Sequence, residues 1–377
     1  MSLSNEDSLR LNVLLVNAVA TRIDEGALKV HGLLKDGSET QMLLNPNCHV
    51  DQYVKQVREL FSSTVLGSPG GYPVFLKRWT RMGQTSDARL DELLMLGEPE
   101  AVVAVTCAPG LTDEIAEKAW WAMPDAANAR RMLKNIQVVQ GKMGPILAEF
   151  LVEFLPFEEN PQAIIESVSL VLQGNIIDKE TQYKLWKKGM QKNIFRLGFL
   201  KTLADDLPDK TCVRPDREQH LSEQSKLHHL AQEGNRFACM LKKLYCEQGQ
   251  SYLAGCEFVI KKPATQEAVV SLLETLTHYF QSIQVLDHCY SDMDSLIADV
   301  RQYLASNQDH ELSKLLEAVP DIEQDIQSML VLAHAGVPVI NPIFAITDAI
   351  GSLMRKKIAP VASPVNDCLK TLQGSLQ

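Results

Sequence analysis

The sequence predicts an α+β fold: a small N-terminal α+β region over residues 1–110, then a mostly helical bundle or solenoid-like region over 111–377. Three observations carry this. Asp36 and Gly37 form a hairpin signal between the β-compatible segments 27–34 and 39–44. The apolar run AVVAVT at 101–106 has the length of a buried strand. Beyond Gly110, cap residues, helical apolar periodicity and helix stops follow one another at short intervals, with no period-two alternation between them.

Taken in order, the first helix is expected over 4–20. Ser4 caps it, Asp7 lies in its first turn, and Leu9, Val13, Val16 and Ala20 share a face. After the hairpin, Tyr53, Val54, Val57, Leu60 and Phe61 place a second helix over 51–66, ended by the loop GSPGGYP at 67–73. In the helical region Thr112 is a cap followed by acidic residues that suit the helix dipole. Asn160 and Pro161 open a further helix with Ile164, Val168, Val171 and Leu172 on one face, and Asp178 opens the next. The longest helix is expected over 263–286. Others start near Ser291 and Asp321, and a short final helix is expected in 363–377. The polar stretch DDLPDKTCVRPDR, 205–217, reads as a linker within the helical part.

Composition bounds the class. With 377 residues the default is two domains, and 45% hydrophobic against 22% charged residues is enough apolar content for a sizeable core. A net charge of −10 opposes non-specific binding to nucleic acid or to an anionic membrane. The eight cysteines are scattered, with no C-x-x-C pair, and the first residues lack the basic and apolar segments of a signal peptide. The expected compartment is a reducing cytoplasm. The stretch 329–347 carries no Asp, Glu, Lys or Arg, but Pro338 and Pro342 break it, so a buried turn between core helices is expected rather than a membrane span.

No P-loop, G-x-G-x-x-G, G-x-S-x-G or H-E-x-x-H motif occurs. Catalytic residues are therefore unassigned, and the sequence points away from an enzyme. Cys239, Cys246 and Cys256 lack the close helical spacing of metal ligands, so no metal and no cofactor is expected. Glu149 and Glu153 share a helix face that reads as solvated.

Two clusters could carry recognition. In GSPGGYPVFLKRWTRMG, Gly70 and Gly71 shape a loop, and Lys77, Arg78 and Arg81 surround Trp79. Backbone amides of such a turn hold anions, guanidinium forks suit phosphate or carboxylate, and an indole can stack on a base. The plainer reading is a turn with Trp79 in the core and the cations paired. The second cluster is Trp120 and Trp121, followed by Arg130 and Arg131. Adjacent helical residues point about 100° apart, so one tryptophan is a candidate for a partner surface. The plainer reading puts each in a separate helix contact.

The stretches LGSPGGYPVFLKRWTRMGQ and LGEPEAVVAV, with AWWAMPDAANARRML and AEFLVEFLPF, resemble the DsrS family, encoded with reverse dissimilatory sulfite reductase in sulfur-oxidising bacteria. The resemblance covers the first half of the chain. It implies a cytoplasmic protein of sulfur oxidation that acts through control of the operon's products, and it carries no catalytic residues. The leading reading is a non-enzymatic interaction or regulatory protein whose partners are proteins of sulfur oxidation. One alternative is a small-anion-binding or sulfur-handling enzyme using the loop 67–81. The other is an RNA-binding regulator using the same cluster.

Overall fold

The computed structural model describes residues 3–67, 89–306 and 309–374. The chain forms two compact units, one up to Pro156 and one from Phe157. The last strand among the described residues ends at Leu43, not near residue 110, and the helices from there as far as Pro156 belong to the same unit as the sheet.

In the first unit Ser4 caps α1 (Asn5–Asn17) by accepting from the Asp7 amide at 3.0 Å. The helix stops at Asn17 because Ala18 turns extended and begins β1 (Ala18–Asp24). The expected extension to residue 20 is thus a strand. It is held there by pairing with β2 (Lys29–Leu34), which pairs in turn with β3 (Glu39–Leu43), all antiparallel in the order β1-β2-β3. The hairpin turn is built as its residues dictate. Gly37 takes φ +83°, and Asp36 accepts from the Ser38 amide and hydroxyl. Gly32 lets α1 close onto the sheet, since a Cβ there would stand 3.2 Å from the Leu14 side chain.

The face of α1 that meets the core is Leu11, Leu14 and Leu15, not the expected Leu9, Val13 and Val16. α2 (Val50–Leu66) lays Tyr53, Val57 and Phe61 on the same core and ends at left-handed Gly67. Its Tyr53 hydroxyl donates to the buried Asp7 carboxylate. After α3 (Leu90–Leu93) comes α4 (Pro99–Thr106), where a strand was expected. Pro99 opens a helix at its first position, and Ala101, Val102 and Val105 form one buried face. An apolar run this short fits either state, and the proline decides it. α5 (Asp113–Ala122), α6 (Ala126–Met132), α7 (Ile136–Gln140) and α8 (Met143–Phe154) complete the unit. Asp113 ties α5 to α8 by accepting from the Lys142 and Met143 amides at 2.8 and 3.0 Å.

The second unit is helical throughout its described residues. It comprises α9 (Pro161–Val171), α10 (Lys179–Lys188), α11 (Ile194–Thr202), α12 (Lys226–Gln232), α13 (Arg236–Tyr245) and α14 (Glu247–Lys261). There follow α15 (Gln266–Tyr279), α16 (Met293–Ser306), α17 (His310–Ala318), α18 (Glu323–His334), α19 (Asn341–Phe344) and α20 (Gly351–Gln373). Asn160 and Asp178 cap α9 and α10 as expected. Gly198 lets α11 press against α9, because a Cβ there would come within 2.5 Å of Val168. The expected long helix of 263–286 is shorter and begins after the Thr265 cap.

The 23-residue α20 replaces the short final helix expected in 363–377. It buries Met354, Ile358, Val361, Val365, Leu369 and Leu372 against α18 and against α14, the latter far from it in sequence. A solenoid unit meets only its neighbours, so this unit is a bundle. The stretch 329–347 contributes the end of α18, a tight turn at Val337–Val339 and α19; it is largely buried as far as Ile340, but Asn341, Pro342 and Ile346 are exposed, so the expected buried turn holds only in its first part. Among the described residues no helix is long and apolar enough to cross a membrane.

The stretch 205–217 is not a linker. Leu207 and Arg214 are buried, and Arg214 enters a charge network centred on Asp325 of α18. One Asp325 oxygen accepts from Arg214 Nη1 at 2.9 Å. The other accepts from Arg217 Nε at 3.1 Å and from the Tyr245 hydroxyl at 2.6 Å. Arg214 also donates twice to Asp216 and once to the Leu372 carbonyl in the last turn of α20. Burial, and then the Asp325 charge, push the Tyr245 phenol far up, so it stays a donor.

Farther along α18, His334 Nε2 accepts from the Val285 and Leu286 amides at 3.1 and 3.0 Å, and its Nδ1 lies 2.9 Å from the Leu330 carbonyl. This arrangement requires the neutral ring with its proton on Nδ1, and burial lowers its pKa accordingly.

Removing the Asp325 carboxylate strands buried guanidinium groups, and breaking such a pair costs roughly 3–5 kcal/mol. Asp325→Ala is therefore expected to lower the unfolding free energy of the second unit by that amount, read from urea unfolding followed by circular dichroism. A His334 held neutral binds its proton less well than the unfolded chain does. Its contribution is complete above the unfolded value of about 6.5 and is lost as pH falls through the lower folded value. Melting temperature should drop on going from pH 7.5 to pH 5, and His334→Leu should flatten that dependence while lowering stability at pH 7.5.

Candidate functional site

Gly70, Gly71, Lys77, Arg78, Trp79 and Arg81 lie outside the described residues. Of that loop, Gly67 is described, as the cap of α2.

Trp120 and Trp121 lie near the end of α5 and point to different neighbours, as their offset requires. Trp120 sets its ring edge-on to Phe150 of α8 at 4.8 Å, and Phe150 stacks on Phe154 at 6.1 Å. Trp121 rests on the sheet. Its indole N–H donates to Glu39 Oε1 at 2.7 Å, and the Arg22 guanidinium stands over its ring at 4.8 Å. Arg22 also donates to the Trp121 carbonyl and to Glu39, each at 3.4 Å. His31 occupies the same sheet face, where burial and then the Arg22 charge lower its pKa. Both tryptophans are half-buried and used within the first unit. Arg131 donates to the buried Asn128 side chain at 2.8 Å, beside a shallow cleft of about 270 Å³ with Thr106, Cys107 and Lys134. Arg130 is half-buried on α6.

The surface that stands open lies elsewhere in the first unit. Leu9, Val13 and Val16 are 67%, 56% and 77% exposed along one side of α1, and Leu43 is 53% exposed on β3. Between α1 and β3 runs a cleft of about 420 Å³, lined by Leu9, Val13, Leu34, Thr40, Gln41 and Met42. β3 forms an edge of the sheet. The Leu34 amide donates to the Ser38 carbonyl at 2.8 Å, and the Leu44 amide to the Leu28 carbonyl at 2.8 Å. With Thr40 opposite Gly32 and Met42 opposite Val30, these bonds make the even-numbered residues of β3 the ones that face β2. Glu39, Gln41 and Leu43 therefore direct their main-chain N–H and C=O groups outward. No strand among the described residues pairs with them.

Two apolar faces compete on this helix, Leu9/Val13/Val16 and Leu11/Leu14/Leu15, and periodicity alone does not rank them. The deciding signal is Asp7, which falls with Leu11 and Leu14 and is matched across the core by the Tyr53 hydroxyl.

The thiols divide by environment. Cys256 is buried, and burial pushes its pKa far up. Cys368 is pushed up to about 12, also mainly by burial. Cys107, Cys212, Cys239 and Cys289 are exposed. Among the described residues no group of three or more His, Cys, Asp or Glu side chains is gathered as a metal site requires. Comparison of the chain with protein-family models, with curated proteins and with solved structures finds no match in any of the three.

Alkylation of the folded protein should label Cys107, Cys212, Cys239 and Cys289, with Cys256 reacting only after unfolding. Peptide mass mapping after a timed iodoacetamide pulse checks this.

Proposed function

We propose that the chain is a non-enzymatic interaction protein. Its first unit takes an extended, apolar segment of a protein partner as a fourth strand on β3. The open edge beside the uncovered side of α1 carries the reading. Outward main-chain groups at Glu39, Gln41 and Leu43 call for an extended backbone. Leu9, Val13 and Leu43 call for apolar side chains on it. Each main-chain bond adds about 0.5–1.5 kcal/mol, and the apolar contact supplies the rest.

Partner identity rests on the sequence resemblance to the DsrS family. We assign the partners to the sulfur-oxidation proteins of a bacterial cytoplasm, with regulation of those proteins as the outcome. Trp120 and Trp121 act in this scheme by fixing the helices and the sheet that present the edge.

Gln41→Pro separates recognition from folding. A proline removes the outward amide of Gln41 while leaving the bonds to β2, which come from its even-numbered neighbours. Anaerobic affinity capture from a sulfur-oxidising host, with and without RNase, is expected to recover sulfur-oxidation proteins with the natural chain. Gln41→Pro and Val13→Lys should lower recovery by about tenfold with unchanged melting temperatures. Undiminished capture by both variants rejects the edge. Recovery that RNase abolishes rejects a protein partner in favour of RNA.

A further inference from the structure

A cavity of about 610 Å³ lies wholly in the second unit, where the turn between α10 and α11 meets the start of α9 and the end of α14. That volume is in the range of small-molecule sites. Ile164, Ile194, Pro161 and Phe258 give it an apolar wall, with Phe258 36% exposed. Its charged lining is Lys192, Lys261 and Lys262 against Glu159 alone. In a chain of net charge −10 this is a local reversal of sign. Lys261 is paired with Glu257, while Lys192 and Lys262 are exposed and make no ion pair among the described residues. α9, α11 and α15 begin at this wall, so their dipoles add to the positive potential. The carbonyl of Lys262, at the end of α14, is covered by Asn193 Nδ2 at 2.7 Å.

A second feature stands behind the wall. Arg196 is 5% exposed and its guanidinium lies 3.4 Å over the Trp186 ring and 5.4 Å from Phe258. Its Nη2 donates to the thioether sulfur of Met190 at 2.8 Å, and its Nε has no partner. The nearest carboxylate, Asp209, is 3.6 Å away and 60% exposed. A buried cation held by a thioether is poorly satisfied, since thioether sulfur is a weak acceptor and charge-assisted bonds to oxygen are much stronger. Met190 is itself 61% exposed and lines the cavity, so it stands between Arg196 and the open space.

We propose that this cavity binds a small amphipathic anion, an alkyl chain bearing one carboxylate or phosphate head. The chain lies on Phe258, Ile164 and Ile194. The head sits between Lys192 and Lys262 and, with Met190 swung aside, reaches Arg196. The charge of the lining selects an anion, and the apolar wall selects against an inorganic one.

Calorimetric titration of the full chain tests this with octanoate, octyl phosphate, octanol and inorganic phosphate. Saturable one-to-one binding of octanoate or octyl phosphate is expected, with octanol and inorganic phosphate each at least about tenfold weaker. The double variant Lys192→Glu, Lys262→Glu should weaken the anions by about tenfold or more and leave octanol unchanged. Both lysines are exposed, so the variant folds, and an unchanged circular-dichroism melt verifies it. No saturable binding of either octyl anion, or undiminished binding to the double variant, overturns the proposal. So does octanol or inorganic phosphate binding as tightly as the octyl anions. Phosphatidylglycerol vesicles present the same chemistry from a bilayer. Pelleting with them that octanoate does not compete away would overturn a dissolved ligand.

Discussion

A single buried carboxylate organises the second unit. Asp325 is 1% exposed, and its oxygens are occupied by two guanidinium groups and a phenol from two other stretches of chain. Burying a carboxylate costs free energy unless its oxygens are hydrogen-bonded, and Arg214, Arg217 and Tyr245 supply those bonds. Arg214 passes the constraint to the last turn of α20 through the Leu372 carbonyl, which Gln250 of α14 also holds. Four helices and a polar connecting stretch thus share one hydrogen-bonded node.

That node explains where the sequence misleads. Read locally, DDLPDKTCVRPDR is polar, carries prolines and has no periodicity, all signs of a linker. The partners that bury its Arg214, Asp325 and the Leu372 carbonyl, stand more than a hundred residues away, beyond any local pattern. Features whose physics is local were legible. These include the Asp36 and Gly37 turn, the caps at Ser4, Thr112, Asn160 and Asp178, and the apolar face of α9. The segment 101–106 was not, because burial on a helix and burial in a strand ask for the same residues. Nor was β1, which earns its conformation from β2. The open cleft was legible in its parts, since both apolar faces of α1 and the hairpin strand can be read. Which face stays uncovered depends on the Asp7 and Tyr53 contact across the core.

The two candidate binding regions differ in kind. The α1 and β3 surface recognises backbone geometry, so it tolerates variation in side chains so long as the partner is extended and apolar. The cavity of the second unit recognises charge beside an apolar wall, and its selectivity rests on Lys192, Lys262 and the half-satisfied Arg196. They lie in separate compact units, so each can be altered without touching the other.

The placement of α20 has a consequence for synthesis. The apolar faces of α14 and α18 reach the ribosome's exit well before the helix that covers them, because α20 begins only at Gly351. Until that helix emerges, Arg214 lacks the Leu372 carbonyl and the bundle lacks one wall. Until then the faces of α14 and α18 that α20 buries are exposed apolar surface, the kind that chaperones engage.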